Sequence, residues 1–221
     1  MGFVTPVIGE QNRDRLLKYI EIAGWLSIDI VNSALSGPPR NKTLGDHTPG
    51  NLIQQESIQH ASYQDFERTA SILHEAQERA GGAGLEVTVE VHQLFIADTS
   101  TSTLKLLEMA NSDHVFTNPD LGSILWHYDE PEEPSEGATV VLASNSKYWH
   151  CKTLQRVHVL ELDRTYFIRV PIPDGAIDYR FAINAMIDAG YDGYFALEGT
   201  NAGGHMSKRC KKHPIGQKNN D

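Results

Sequence analysis

Cysteine is scarce in this chain of 221 residues: Cys151 and Cys210 are the two it has, and they stand at no metal-type spacing. That argues against a disulfide framework and a thiolate cluster, and leaves two reduced thiols. No apolar run approaches the roughly 20 residues of a membrane span, and the N-terminus has no basic segment followed by an apolar signal core. The expectation is a cytoplasmic protein without a membrane partner. Positive charge is short as well. The formal net charge of -10 disfavours binding to a nucleic-acid backbone, and the one compact basic segment, Lys208-Arg209-Cys210-Lys211-Lys212, reads as a solvated tail. Neither repeats nor a disordered composition stands out, and the length is ample for one domain with a real core.

What the chain does have is a run, Leu85-Glu86-Val87-Thr88-Val89-Glu90-Val91-His92, whose alternation places Val87, Val89 and Val91 on one face of a strand. Thr88, Glu90 and His92 take the other. Such a strand suits a sheet packed under helices with its polar side toward a reactive cavity. Further candidate ligands follow. Asp120 comes after the strand-like run from His114 to Pro119, His150 lies in Lys147-Tyr148-Trp149-His150-Cys151, and Glu198 closes Gly193-Tyr194-Phe195-Ala196-Leu197-Glu198. Glu90, Asp120 and His150 keep one spacing of about 30 residues, the allotment of one strand-plus-helix unit in an eight-unit barrel. They would recur at the same end of successive strands.

The rest of the chain alternates in the same way. Periodicity predicts helices over Asn12 to Leu26, Ser62 to Arg79, Ser102 to Ala110, Pro134 to Leu142 and Asp178 to Ala189. A short buried strand is expected at Ser27 to Val31, with a further one at Phe3 to Ile8. The Gly- and Pro-rich stretch from Asn32 to about Ser57 reads as a lid or substrate loop, and Thr153 to Gly175 as a long connection. Alternating strands and helices favour a parallel sheet under helices. The fold class is α/β, a TIM-type (β/α) barrel. Five strands plus a sixth candidate fall short of eight, so the barrel is expected to be incomplete, with N-terminal βα units missing. The domain would span residues 1–200, with 201–221 a basic, disordered tail.

With these residues in hand, the chain resembles the sugar phosphate isomerase/epimerase family, whose fold is the xylose isomerase-like TIM barrel. The likeness runs from about Asn12 to Gly199 and rests on Val89-Glu90-Val91-His92, Asn118-Pro119-Asp120-Leu121-Gly122, Trp149-His150-Cys151-Lys152, Gly190-Tyr191-Asp192-Gly193 and Leu197-Glu198-Gly199. The resemblance implies one divalent metal at the C-terminal mouth of the barrel, held by Glu90, Asp120, His150 and Glu198. It also implies two departures. Ketose epimerases of the family place a substrate-binding His three residues after the metal Asp, where this chain has Ser123; Arg156 does match the family's Arg six residues after the metal His. Family members further carry two or three βα units ahead of the point equivalent to Asn12, and a helix after the last Glu.

Three carboxylates and an imidazole form a hard, oxygen-rich set, suited to Mn²⁺, Mg²⁺ or Co²⁺, with Zn²⁺ an alternative. The expected reaction moves or inverts a hydrogen beside a carbonyl of a small sugar, sugar phosphate or related polyol through a metal-stabilised enediolate. Glu90 and Glu198, predicted to face each other across the mouth, are the catalytic candidates. Two bases give epimerisation; one base moving a proton between neighbouring carbons gives isomerisation. His92 and Lys152, each two residues from a ligand on its strand, are substrate-binding candidates, and so is Arg156 through its planar fork. Cys151 should point away from His150. Trp126 and Trp149 read as core or pocket wall, and the remaining histidines as structural, with Asp46-His47 able to reach over the mouth from the loop. The alternatives are a keto-polyol dehydratase on the same fold and a truncated, noncatalytic barrel fragment. A DNA-repair endonuclease would need more His and Asp ligands and a basic face. Self-association would cover an open sheet edge.

Overall fold

The computed structural model describes residues 2–4, 6–37, 61–93, 95–126, 133–162 and 164–198. Helix α1 (Pro6–Trp25) opens on a proline, whose fixed φ and missing N–H suit a first helical turn. That is why the expected strand at Phe3 to Ile8 does not form: Gly2 alone makes a bridge, to Ser36, and the chain turns helical at Pro6. The stripe Leu16, Leu17, Ile20 and Ala23 is buried as its spacing requires. The helix unwinds through Ser27, a left-handed residue at φ 54, with Ile28 N donating to Ala23 O. This exit uses up the residues expected to start a strand, so β1 (Ile30–Ala34) lies three residues later than its apolar run suggested.

Two long helices carry reciprocal caps. Ser62 and Asp65 close a capping box at the start of α2 (Tyr63–Ala83), which ends on left-handed Gly84 at φ 71. After β2 (Glu86–Glu90), Thr99 and Ser102 repeat the device for α3 (Ser100–Ala110). β3 (Val115–Asn118) leads to a one-turn helix, α4 (Leu121–Leu125), that the periodicity did not reveal because five residues carry no period. Then come α5 (Ser135–Leu142), β4 (Tyr148–Cys151), β5 (Thr153–Val159), β6 (Arg164–Val170), α6 (Tyr179–Asp188) and β7 (Tyr194–Leu197). The expected long connection after His150 is thus an antiparallel hairpin, β5 on β6, with Arg156 opposite Phe167. Its first strand sets Leu154, Arg156 and His158 on one face and Gln155, Val157 and Val159 on the other, so both faces mix apolar with polar residues and the sequence carries no period of two there. Of the expected lid, Asn32 to Ala34 belongs to β1; residues 38–60, with Asp46 and His47, and the tail 201–221 lie outside the described residues.

β1, β2 and β3 pair in parallel, and so do β4 and β7. A parallel bridge from Thr117 to Ser146 joins the two groups, giving the order β1-β2-β3-β4-β7 with helices outside. This is a TIM-type (β/α) barrel with five parallel strands among the described residues, where a full barrel has eight. The register places Ala34, Glu90 and Asn118 level with one another, and Cys151 level with Leu197, so the strands end at one rim. At the opposite rim Tyr194 Oη donates to Asp29 Oδ2 at 2.7 Å, which ties the foot of β7 to the residue before β1.

The core has two parts. One joins α1, α2 and α3 to Val87 and Val89 of β2; the other gathers Leu142, Trp149, Cys151, Tyr179, Ala182 and Met186 between α5, α6 and β4. Each fully buried Leu, Ile or Phe contributes roughly 1.5–3 kcal/mol over its exposed state. With the valines of β2 turned to the helices, Thr88 and Glu90 must face the barrel interior.

Candidate metal centre

The rim where the strands end collects the polar residues. Glu90 is the last residue of β2 and is 7% exposed. Asp120, wholly buried, follows β3 and caps α4: Ser123 N donates to its Oδ1 at 3.2 Å and Ser123 Oγ to its Oδ2 at 3.0 Å. Ser123, standing where the resemblance would place a substrate histidine, therefore serves the Asp120 carboxylate. His150 is the third residue of β4, and alternation sends Trp149 and Cys151 into the core on the opposite side. Glu198 follows β7, placed by its N–H donating to Cys151 O at 3.1 Å.

Each of Glu90, Asp120, His150 and Glu198 offers one ligand atom, and these atoms lie within 4.8 Å of one another. His150 Nδ1 stands 3.5 Å from Glu90 Oε2 and 3.7 Å from Glu198 Oε2. It is buried and has no hydrogen-bond partner among the described residues. A buried imidazole nitrogen without a bond, ringed by three carboxylates, fits a divalent cation, and the oxygen-rich donors favour a hard one.

Lys152 joins them. Its Nζ lies 2.5 Å from Asp120 Oδ2 and 2.9 Å from Glu198 Oε2, and the residue is 5% exposed. Gly122 makes this approach feasible, because a Cβ there would overlap the Lys152 side chain and carbonyl. A second set of polar groups stands behind the ligands. Asn32 Nδ2 donates to Glu90 Oε2 at 3.0 Å, while Asn32 Oδ1 accepts from Thr88 Oγ1 at 2.9 Å and Asn118 Nδ2 at 3.2 Å. Asn118 Oδ1 accepts from the backbone N–H of His150 at 2.7 Å. Asn32 escaped the sequence reading, which ended the first strand at Val31. Carrying the alternation one residue further would have set it on the same face as Ile30.

The electrostatics follow from burial and pairing. Burial would raise the Glu90 carboxyl, but His150 and Asn32 together bring it below the ordinary value. Burial opposes protonation of His150, yet the three surrounding carboxylates lift it above its usual value. Asp120 is pushed up to about 7 by burial, against the pull of the Lys152 ammonium. Lys152, which burial would lower, is raised by Asp120 and Glu198. Glu198 ends below its ordinary value because Lys152 outweighs its partial burial. Burial also raises the Cys151 thiol, in keeping with its place in the core.

His92 lies two residues beyond Glu90. It stacks on Phe95 at 4.3 Å between ring centroids, its Nδ1 is 3.1 Å from Gln93 O, and burial lowers its pKa. Nδ1 carries the proton in that contact, which leaves Nε2 as an acceptor. Arg156 is carried by the hairpin, with Nη2 3.5 Å from Thr165 Oγ1. Trp126 packs against Phe167 and Arg169, and Trp149 against Tyr179, Tyr191 and Phe195. His74 meets Ala110 O, and His114 meets Glu86. No described helix is long and apolar enough to cross a membrane.

A parallel barrel wall bearing a Glu, an Asp, a His and a second Glu at one rim defines a class of fold and site, and residues 5–215 match the family described as xylose isomerase-like TIM barrel. The chain belongs to that family. It is similar in structure to a xylose isomerase-like TIM barrel protein from Mycobacterium smegmatis in complex with magnesium, at 20% identity and a TM-score of 0.71, over 86% of this chain and 60% of that one. The probable 3-DHS dehydratase AsbF from Bacillus anthracis is similar at 18% identity and a TM-score of 0.64, over 93% of this chain and 68% of that one. So is a D-allulose 3-epimerase from Methylomonas sp. in complex with D-allulose, at 15% identity and a TM-score of 0.64, over 90% and 60%. The chain thus spans less than two thirds of the first and third of these structures. No curated protein matches it.

Proposed function

We propose that the chain is a metal-dependent isomerase or epimerase of a small sugar, sugar phosphate or related polyol, with residues 1–200 as its working domain and a cytoplasmic location. The observation that carries the reading is the convergence of Glu90, Asp120, His150 and Glu198 around a buried imidazole nitrogen that lacks a hydrogen bond. Those four residues would hold Mn²⁺, Mg²⁺ or Co²⁺, or else Zn²⁺. The ion, when bound, supplies the positive charge that stabilises negative charge developing beside a substrate carbonyl.

The chain's own groups supply the proton handling. Glu90 and Glu198 approach from β2 and from the end of β7, two different parts of the wall, so Glu90 takes the proton next to the carbonyl while Glu198 passes to the opposite face a proton drawn from the Lys152 ammonium, bonded to it at 2.9 Å. Both sit below the ordinary carboxylate pKa, so both are ionised at neutral pH and competent to accept. Lys152, bonded to Glu198, is placed to donate to a substrate oxygen, and His92 Nε2 to accept from a hydroxyl. Arg156 on the hairpin would meet a phosphate, carboxylate or hydroxyl through its planar fork. Self-association would cover the outer edge of β7, where Tyr194, Phe195 and Leu197 are exposed.

The dehydratase among the similar structures favours a second reading, loss of water from a keto-polyol after the same proton removal. The test is a panel of ketoses, their phosphates and keto-polyols incubated with the Mn²⁺-loaded chain in D₂O. Deuterium entering beside the carbonyl, with an epimer or isomer as product, supports the first reading; an absorbing enone supports the second. A folded chain that binds Mn²⁺ yet exchanges no proton in any of them overturns the catalytic reading.

A further inference from the structure

β1 sends Asn32 into the barrel interior, and the amide is held at both ends. Two donors, Thr88 Oγ1 and Asn118 Nδ2, converge on Oδ1, and Nδ2 donates to Glu90 Oε2 at 3.0 Å. Asn118, fixed because its Oδ1 accepts from the His150 N–H, and the Glu90 carboxylate decide which end of the amide is oxygen, so a flip would set N–H against N–H and oxygen against carboxylate. Thr88 and Asn118 are both fully buried. Competition from water at their donor groups is therefore low, and each bond retains more of its strength than one at the surface.

The geometry points to Asn32 as a positioning residue for the metal centre, which fixes the Glu90 carboxylate and, through Asn118, the strand segment that carries His150. With Asn32 occupying one side of Oε2, the oxygen has its other lone pair for the direction of His150 Nδ1, 3.5 Å away. Asn118 completes the link by accepting from the His150 N–H at 2.7 Å. The side chains of Asn32, Thr88, Glu90 and Asn118 thus connect β1, β2, β3 and β4, beyond what the backbone ladders between paired strands provide. The inference rests on the metal-dependent reading above and extends it to a residue that touches no ion.

The experiment uses the full chain and Mn²⁺ as probe. Mn²⁺ affinity is measured by calorimetric titration, the electron paramagnetic resonance spectrum of the bound ion reports its ligand arrangement, and melting in chelator reports the metal-free fold. Asn32→Leu keeps side-chain volume and removes every bond of the amide; it is expected to weaken Mn²⁺ binding by about 10–100-fold and to change the spectrum. Thr88→Val takes away one of the two anchors while sparing the bond to Glu90, and is expected to weaken binding a few-fold. A residue that merely supports the fold would lower the melting temperature with affinity and spectrum unchanged, and that result overturns the inference. Should Asn32→Leu fail to fold, Thr88→Val decides: wild-type affinity and spectrum overturn the inference, and a shift in both supports it. A folded wild type that binds no Mn²⁺ overturns the metal-dependent reading itself, and Asn32's role with it.

Discussion

Asp120 holds two positions at once, as the cap that starts α4 and as a wholly buried carboxylate against Lys152. Its pKa is raised on folding to about 7 from 3.8. A raised carboxyl favours the folded chain fully below the unfolded value, and that contribution is lost as pH rises through the folded one. His150, also raised, from 6.5, loses its contribution in the same direction. Glu90 and Glu198 are lowered from 4.5, so theirs are lost only in acid. His92, lowered from 6.5 by burial, works the other way just below that value, so the metal-free chain is expected to lose stability as pH rises from 6.5 to about 8. Melting in chelator across that range checks it, and Asp120→Asn should flatten the slope. A slope that is flat in the wild type, or unchanged in the variant, counts against the buried-carboxylate account.

The sequence pattern brought out the four ligand candidates because each lies in or just after a strand-like run and three share one spacing, and the family resemblance joined them into one set. Asn32 was missed because a strand boundary was drawn three residues early, and Lys152's double pairing was missed because spacing says nothing of where a long flexible side chain ends. Cys151 was legible by alternation alone. With its thiol raised and buried in the core, it is expected to resist iodoacetamide in the folded chain and to react once urea unfolds it. Peptide mass spectrometry distinguishes it from Cys210, and rapid native labelling of Cys151 would contradict the packing.

At the scale of elements, helices were legible where their ends are chemically marked. Ser62, Thr99 and Asp178 each accept a hydrogen bond from the first turn of the helix that follows, and the expected starts fall close to them. What escaped was of two kinds. α4 is too short to show a period, and in the β5–β6 hairpin each face of β5 mixes apolar with polar residues, so no apolar-polar alternation marks it and it read as a connection. Capping makes a quantitative forecast for α2. Ser62→Ala removes the acceptor for Asp65 N and should cost about 1 kcal/mol, a fall of about 2–4 °C in melting temperature for a chain of this size. Ser62→Asp restores an acceptor and is expected to recover most of it. Equal melting of Ser62→Ala and wild type would mean the box contributes nothing in this context.

Over the whole molecule, the four ligands arrive from separate strands that meet only when the wall is assembled. Glu90 and Asp120 belong to the three-stranded part, His150 and Glu198 to the β4–β7 pair. Among the described residues the sheet pairing between these parts is a single bridge, Thr117 to Ser146, reinforced by Lys147 N donating to Thr117 O at 3.3 Å. A cation shared by all four residues would therefore join the two parts of the wall at the rim, and nothing in the unfolded chain offers the same set. Binding to the folded state alone stabilises by about 2.7 kcal/mol when free ligand stands at 100 times its dissociation constant, which corresponds to roughly 5–10 °C here. Titrating Mn²⁺ into the chelator-treated chain should raise its melting temperature along that logarithmic curve. Glu198→Gln keeps the size of the side chain and removes a charged ligand; it should lose most of the rise while melting near the wild type without metal. Equal stabilisation of variant and wild type by Mn²⁺ would place the ion elsewhere. Absence of any rise in a folded wild type would mean that the two parts of the wall do not hold a cation between them.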